Sequence, residues 1–252
     1  MSTTTTIMRR KAVALAVLAA STAASTVAAD VNLEFRVDDN LVDPGDTVPV
    51  HIYIVGDPGP PAETVGAVEA IFTWDPTHLV LTGVDPANPA NLIFAGFPAV
   101  GTGGLNEASP PADGDALFIG LGPLGTPTPA TEAGTLFATL LFTANFSTPN
   151  TDLAFLPSAG SPTRETVVYD GITPNTIVTG SLSGTSVIVR CGPFDTAVPY
   201  GQLDLADVNV FASGFLAMNP VADLNEDGIF DLSDINDFID GFLMGCPLPP
   251  AP

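Results

Sequence analysis

Val48-Pro49-Val50-His51-Ile52-Tyr53-Ile54 alternates aliphatic residues with others at a period of two, the pattern of a β-strand that buries one face. Before it, Asp43-Pro44-Gly45-Asp46 has the residue chemistry of a chain reversal. After it, Val68, Ala70, Phe72 and Trp74 point to one side of another strand, which Asp75-Pro76 stops. Further strands are predicted over 79–84, 91–95, 116–121, 134–146, 151–156, 165–169, 176–180 and 185–190. Proline- and glycine-rich stretches at 57–62, 98–104 and 109–114 read as the loops between them. About nine strands with regular turns and no convincing amphipathic helix predict an all-β sandwich over residues 30–190.

The chain of 252 residues carries 28 acidic side chains against 6 basic ones. Arg9, Arg10 and Lys11 precede a short apolar run, Ala12 to Ala20, and a Ser/Thr/Ala stretch leads to Val27-Ala28-Ala29. This is the layout of a secretory signal peptide over residues 1–29, with an apolar run too short to span a bilayer. Beyond it the basic residues are Arg36, Arg164 and Arg190. Such acidity repels phosphate backbones and anionic lipid, so neither nucleic acid nor a membrane is expected as a partner. The expected location is secreted, extracellular or at the cell surface. There disulfides persist, and Cys191 and Cys246 are expected to pair.

At Cys191 the pattern changes. Leu205, Val208, Phe211, Phe215 and Leu216 recur at helical spacing, as do Ile235, Phe238, Ile239, Phe242 and Leu243. The two stretches form an internal repeat: LDLADVNVFASGFL (203–216) aligns with FDLSDINDFIDGFL (230–243) at an offset of 27 residues. Ahead of the second helix lies Asp223-Leu-Asn225-Glu-Asp227-Gly228-Ile229-Phe-Asp231-Leu-Ser233-Asp234. Its side-chain oxygens fall at positions 1, 3, 5, 9 and 12 of a twelve-residue loop, with glycine at 6 and the Ile229 carbonyl at 7. That is the ligand spacing of an EF-hand loop for Ca2+, a hard cation that takes six to eight oxygens. Position 12 is Asp234 instead of the usual longer glutamate. The first loop is poorer. One extra residue makes Asp195 the opening ligand and keeps Gly201, Asp204 and Asp207, but positions 3 and 5 lack oxygen side chains. A structural turn without metal is the favoured reading there. Asp204 and Asp231 stand where they can cap the helices that follow.

A calcium loop followed by a helix, given twice within about sixty residues, resembles a type I dockerin domain. Cys191-Gly192 before the first unit, Gly245-Cys246-Pro247 after the second, and Leu203-Asp-Leu-Ala-Asp-Val-Asn209 resemble the variant called GC-type. The resemblance implies a small calcium-folded module that docks onto a cohesin-type domain. Its partner-binding candidates, by position, are Leu205, Ala206, Val210, Leu232, Ser233, Asp237 and Ile239. The basic residues that often follow the loop in clostridial-type domains are missing. In the β part, Gly45-Asp46-Thr47-Val48, then Phe72-Thr73-Trp74-Asp75-Pro76, then Gly134-Thr135-Leu136-Phe137-Ala138-Thr139-Leu140-Leu141-Phe142 resemble landmarks of cohesin-type jelly-roll sandwiches, a fold shared with a group of carbohydrate-binding modules.

The expectation is therefore a mainly β chain: a cohesin-like sandwich at 30–190, a dockerin-like domain of two loop–helix units at 191–247, and a Pro-rich tail at 248–252. Its expected role is non-catalytic anchoring, the dockerin-like tail docking to a cohesin-type partner and the cohesin-like sandwich binding a protein, in an extracellular assembly that degrades polysaccharide. The alternative is a polysaccharide-binding module carried on the same tail. An enzyme is not expected. Pairs such as Asp113/Asp115 or Glu63/Glu69 could be drawn together, but nothing in the sequence specifies the separation a glycosidase needs. His51 and His78 belong to no nucleophile motif. For sugar stacking only Trp74 and Tyr53 stand out, and Trp74 shares the face of Phe72.

Overall fold

A computed structural model describes residues 30–58, 63–87, 90–99, 102–173, 175–247 and 249. The expected signal peptide lies outside the described residues, as does the 248–252 tail apart from Pro249.

Two sheets face each other. The smaller has five strands in the order Thr179–Ser183, Val31–Val37, Thr47–Gly56, Thr135–Ala144, Leu79–Val84. The larger runs Leu41–Val42, Thr185–Val189, Thr148–Leu156, Thr64–Thr73, Asp115–Leu121, Phe94–Gly96, and Val167–Asp170 and Thr128–Pro129 also pair with Thr64–Thr73. A two-stranded hairpin, Ser158–Ala159 with Arg164–Glu165, forms a third, separate ladder.

The period-two reading of Val48–Ile54 holds: Val48, Val50, Ile52 and Ile54 are buried, while Pro49, His51 and Tyr53 are partly exposed. From the facing sheet come Val68, Ala70 and Phe72, followed by Trp74. Aromatic contacts join the layers, with Phe35 edge-on to Phe72 at 5.7 Å and Trp74 edge-on to Phe142 at 5.6 Å. These apolar faces have nowhere else to hide, so the sandwich closes on them.

Several boundaries differ from expectation. Val31–Val37, outside the predicted set, is an interior strand of the smaller sheet, antiparallel to Thr47–Gly56 and parallel to Thr179–Ser183. Its alternation of Val31, Leu33 and Phe35 with Asn32, Glu34 and Arg36 is the same signal as in Val48–Ile54. The 91–95 strand shortens to Phe94–Gly96, and the 165–169 strand divides into Arg164–Glu165 and Val167–Asp170. The 176–180 strand moves to Thr179–Ser183. In place of about nine strands, the described residues form fifteen strand segments, four of them only two residues long.

Beyond Val189 come two helices, α1 (Leu205–Ala217) and α2 (Leu232–Met244), with a 3-10 turn at Pro220–Ala222 between them. Phe211, Ala222 and Phe238 form their own small core, separate from that of the sandwich. The disulfide Cys191–Cys246 ties the start of this segment to its end. The segment also touches the sandwich: a Cβ on Gly201 would come within 2.5 Å of the Thr148 backbone, so only glycine fits there. Ser147 Oγ donates to the Pro247 carbonyl at 3.1 Å.

Candidate functional site

The two loop–helix units are built alike, residue by residue. Asp223 opens one loop and Asp195 the other. Gly228 N–H donates to Asp223 Oδ2 at 3.0 Å, and Gly201 N–H donates to Asp195 Oδ2 at 2.7 Å. At the closing end, Leu224 N–H donates to Asp234 Oδ1 at 2.9 Å and Thr196 N–H donates to Asp207 Oδ1 at 2.8 Å. The other oxygens, Asp234 Oδ2 and Asp207 Oδ2, accept from Asp231 N–H at 3.0 Å and Asp204 N–H at 2.9 Å. Each closing aspartate thus sews the start of its loop to the helix that follows. The extra residue of the first loop falls between Thr196 and Gly201.

The helix starts explain these roles. Asp204 and Asp231 are the N-caps, accepting from Ala206 N–H at 2.6 Å and Ser233 N–H at 2.7 Å. Asp207 and Asp234 sit three residues on and return the bond to the cap's own N–H, completing a capping box in each unit. Carboxylates suit this place because the helix N-terminus is positively polarised.

Inside the second loop, Asp227 N–H donates to Asn225 Oδ1 at 3.1 Å and Ile229 N–H donates to Asp227 Oδ1 at 2.8 Å. Glu226 and Gly228 both have positive φ, 57° and 77°, which folds the loop tightly and favours glycine at the sixth position. Among the described residues no three His, Cys, Asp or Glu side chains gather as a metal cluster. The loop carboxylates are turned to backbone N–H groups. Both opening aspartates nevertheless keep one oxygen, Asp223 Oδ1 and Asp195 Oδ1, buried without a hydrogen-bond partner. Asp195 is wholly buried. Burial is the largest influence on its carboxyl and raises its pKa; the Cys191 and Gly201 N–H donors and the Arg190 charge oppose this, while Asp207 adds to it.

The partner-binding candidates all lie on the helix pair. Leu205, Leu232, Ser233, Asp237 and Ile239 are exposed, and Ala206 and Val210 are half-buried. One relation was not expected from the sequence. A Cβ on Gly241 of α2 would meet the Phe194 ring at 2.2 Å, and one on Gly214 of α1 would meet Val221 at 2.8 Å. Gly214 and Gly241 are repeat equivalents, and the residues just before each loop press on the helix of the other unit. The signal was the coincident glycine in the aligned repeat.

The other acidic and aromatic candidates are scattered. Glu69 is paired with Arg164 at 2.7 Å, whereas Glu63 accepts from Asp57 N–H at 2.8 Å. Burial raises the Glu63 carboxyl, outweighing that bond. Burial likewise raises Asp115, helped by the charges of Asp113 and Glu107. His51 Nδ1 lies 2.9 Å from Thr139 Oγ1, and His78 Nδ1 lies 2.9 Å from the Phe146 carbonyl. Trp74 is 4% exposed and therefore core, and Arg36 lies over one face of the half-buried Tyr53 ring at 4.2 Å.

No protein-family model matches the chain, and no curated protein does either. Solved structures resemble it. A cohesin module from a family 33 glycoside hydrolase of Clostridium perfringens has 17% identity and a TM-score of 0.45, covering 64% of this chain and 96% of that one. The sixth cohesin of scaffoldin B from Acetivibrio cellulolyticus, solved in complex with a mutant dockerin, has 16% identity and a TM-score of 0.42, covering 63% of this chain and 99% of that one. A non-cellulosomal cohesin from the archaeon Archaeoglobus fulgidus has 10% identity and a TM-score of 0.41, covering 64% of this chain and 90% of that one. Among the described residues no helix is long and apolar enough to cross a membrane.

Proposed function

We propose that this is a secreted, non-catalytic docking protein whose C-terminal helix pair, set by one Ca2+ in the 223–234 loop, binds a protein partner. The observation that carries this reading is the bond from Gly228 N–H to Asp223 Oδ2, which ties the first loop position to the sixth and leaves Asp223 Oδ1 buried without a donor. A buried carboxylate oxygen with no donor is costly, and a cation removes that cost. The chemistry of the donor set fits. Asp223, Asn225, Asp227, Asp231, Asp234 and the Ile229 carbonyl are all hard oxygen ligands, and Asp234 stands at the closing position. When bound, Ca2+ neutralises these carboxylates and stabilises the folded loop. The first loop is the structural half, because its third and fifth positions lack the oxygen side chains that Asn225 and Asp227 supply in the second.

The cohesin-like landmarks of the sandwich support a second protein-binding surface on the β part. The polysaccharide reading lacks a ready aromatic platform, with Trp74 in the core and Arg36 over one face of Tyr53.

Calcium titration by calorimetry on the chain without residues 1–29 tests the proposal. One Ca2+ per chain is expected, with uptake lost in Asp223→Ala and Asp234→Ala. If the chain takes up no calcium and keeps its full helix content in chelator, the proposal is wrong.

A further inference from the structure

The two helices leave part of their apolar surface uncovered. Between α1 and α2 lies a groove of about 310 Å3 lined by Val208, Phe211, Ile235, Phe238, Ile239 and Phe242. Leucines extend this surface along both helices. Leu205, Val208, Ala212 and Leu216 follow the i, i+3, i+7, i+11 spacing of one helical stripe, and Leu232, Ile235, Ile239 and Leu243 repeat it 27 residues on. Leu205, Leu216, Leu232 and Leu243 are 77%, 85%, 72% and 79% exposed, so this stripe has no cover among the described residues. A contiguous exposed apolar face of this kind marks an interaction site.

Charge selects the occupant. The segment 191–247 carries ten acidic residues and neither lysine nor arginine. Asp204, at the start of α1, and Asp240, on α2, lie beside the stripe and are exposed; Asp237 is exposed on the opposite side of α2. A second copy would bring two such surfaces together, like charge against like. Nor can the sandwich supply cations. Among the described residues its arginines are spoken for: Arg36 by Glu34, Arg164 by Glu69 and Arg190 by Asp43. Anionic lipid is repelled for the same reason.

We infer that the α1–α2 face docks a cationic amphipathic segment of a different protein, with its apolar side chains in the groove and its lysine or arginine side chains over the acidic flanks. This rests on the reading of the helix pair as a docking module and names the chemistry of its partner. Helix-in-groove recognition uses anchors at this same spacing.

The test uses the chain without residues 1–29 in calcium buffer and two labelled synthetic peptides that form amphipathic helices, one of leucine and lysine, one of leucine and glutamate. Fluorescence anisotropy should show binding of the lysine peptide only, weakening as salt is raised. The double variant Leu216→Ser/Leu243→Ser keeps every charge and changes only exposed side chains; its affinity should fall about tenfold or more. Equal binding of both peptides overturns the inference, as does undiminished binding by the double variant, which would show attraction by charge alone. A dimer of the free chain in sedimentation also overturns it, because the face would then be covered by a second copy. Calcium uptake is measured on the same samples. Uptake without peptide binding refutes this inference and leaves the calcium reading standing; peptide binding without uptake does the reverse.

Discussion

Phe211 and Phe238, equivalent residues of the internal repeat, stack with ring centroids 4.1 Å apart and planes 10° from parallel. Phe215 and Phe242 flank them at 6.0 Å and 5.7 Å, each on its own helix. A helix of thirteen residues cannot bury its apolar face alone, and here each unit supplies the cover for the other. The repeat is therefore an obligate pair, with the stacked rings at its centre.

Phe238→Ala should remove that centre at a cost of about 3–5 kcal/mol, comparable with the whole stability of a module this small. The helices should melt while the sandwich stays folded. Far-UV circular dichroism reads the first, and the fluorescence of Trp74, the only tryptophan and a residue of the sandwich core, reads the second. Retained helix content in this variant would show that the stack is dispensable.

Gly241→Ala should destabilise the helix pair even though alanine is the better helix former by about 1 kcal/mol. The added methyl would lie 2.2 Å from the Phe194 ring, which must then leave its place against α2. Urea unfolding followed at 222 nm decides the sign, and a rise in midpoint would mean that Phe194 moves aside freely.

Asp231→Ala and Asp223→Ala should part company when calcium is withdrawn. Asp231 caps α2 through Ser233 N–H, so its loss should cost about 0.5–2 kcal/mol even in chelator, and more in calcium, where it also stands among the ligands. The Asp223 side chain caps no helix and accepts from Gly228 N–H, so its loss should act chiefly by abolishing the stabilisation proposed for calcium. Thermal melts of both variants in calcium and in chelator make the comparison.

Asp115→Asn should stabilise the sandwich, and more so at neutral pH than in acid. Burial, then the Asp113 and Glu107 charges, hold the folded Asp115 carboxyl above the aspartate value, about 3.9 in an unfolded chain. The folded state thus grips this proton more firmly. Stability is fullest below the unfolded pKa, falls as pH rises towards the folded one, and carries a constant penalty above it. Asparagine escapes that penalty. Urea midpoints at pH 4 and pH 7 should show the variant's advantage growing with pH; an advantage that shrinks would refute the assignment.

Much of this arrangement is legible in residue order. Period-two alternation locates Val48–Ile54, and the same alternation in Val31–Val37 marks a strand as plainly, although Asn32, Glu34 and Arg36 make it look more polar than it is. The cap roles of Asp204 and Asp231 follow from spacing, whereas the bonds that Asp207 and Asp234 return to the caps show only in the folded helix starts. Other features depend on contacts distant in sequence. The Phe194–Gly241 contact joins positions 47 residues apart, and nothing local announces it. Strand limits near 91–95 and 176–180 moved because pairing partners, Asp115–Leu121 and Val31–Val37, decide where a ladder begins and ends.

Arg190 is the one residue between the last strand, which ends at Val189, and Cys191. The disulfide brings Cys246 back to that same point, and Gly201 and Pro247 rest against the Ser147–Pro149 corner of the sandwich. The helix pair is thus carried on a bracket, not on a leash. A flexible tether would let the helix pair sweep a volume set by linker length, whereas here the joint sets the bearing of the α1–α2 face on the sandwich. If both parts bind partners as proposed, those partners are kept at one separation and one angle, and lengthening the chain at Arg190 is the way to loosen them.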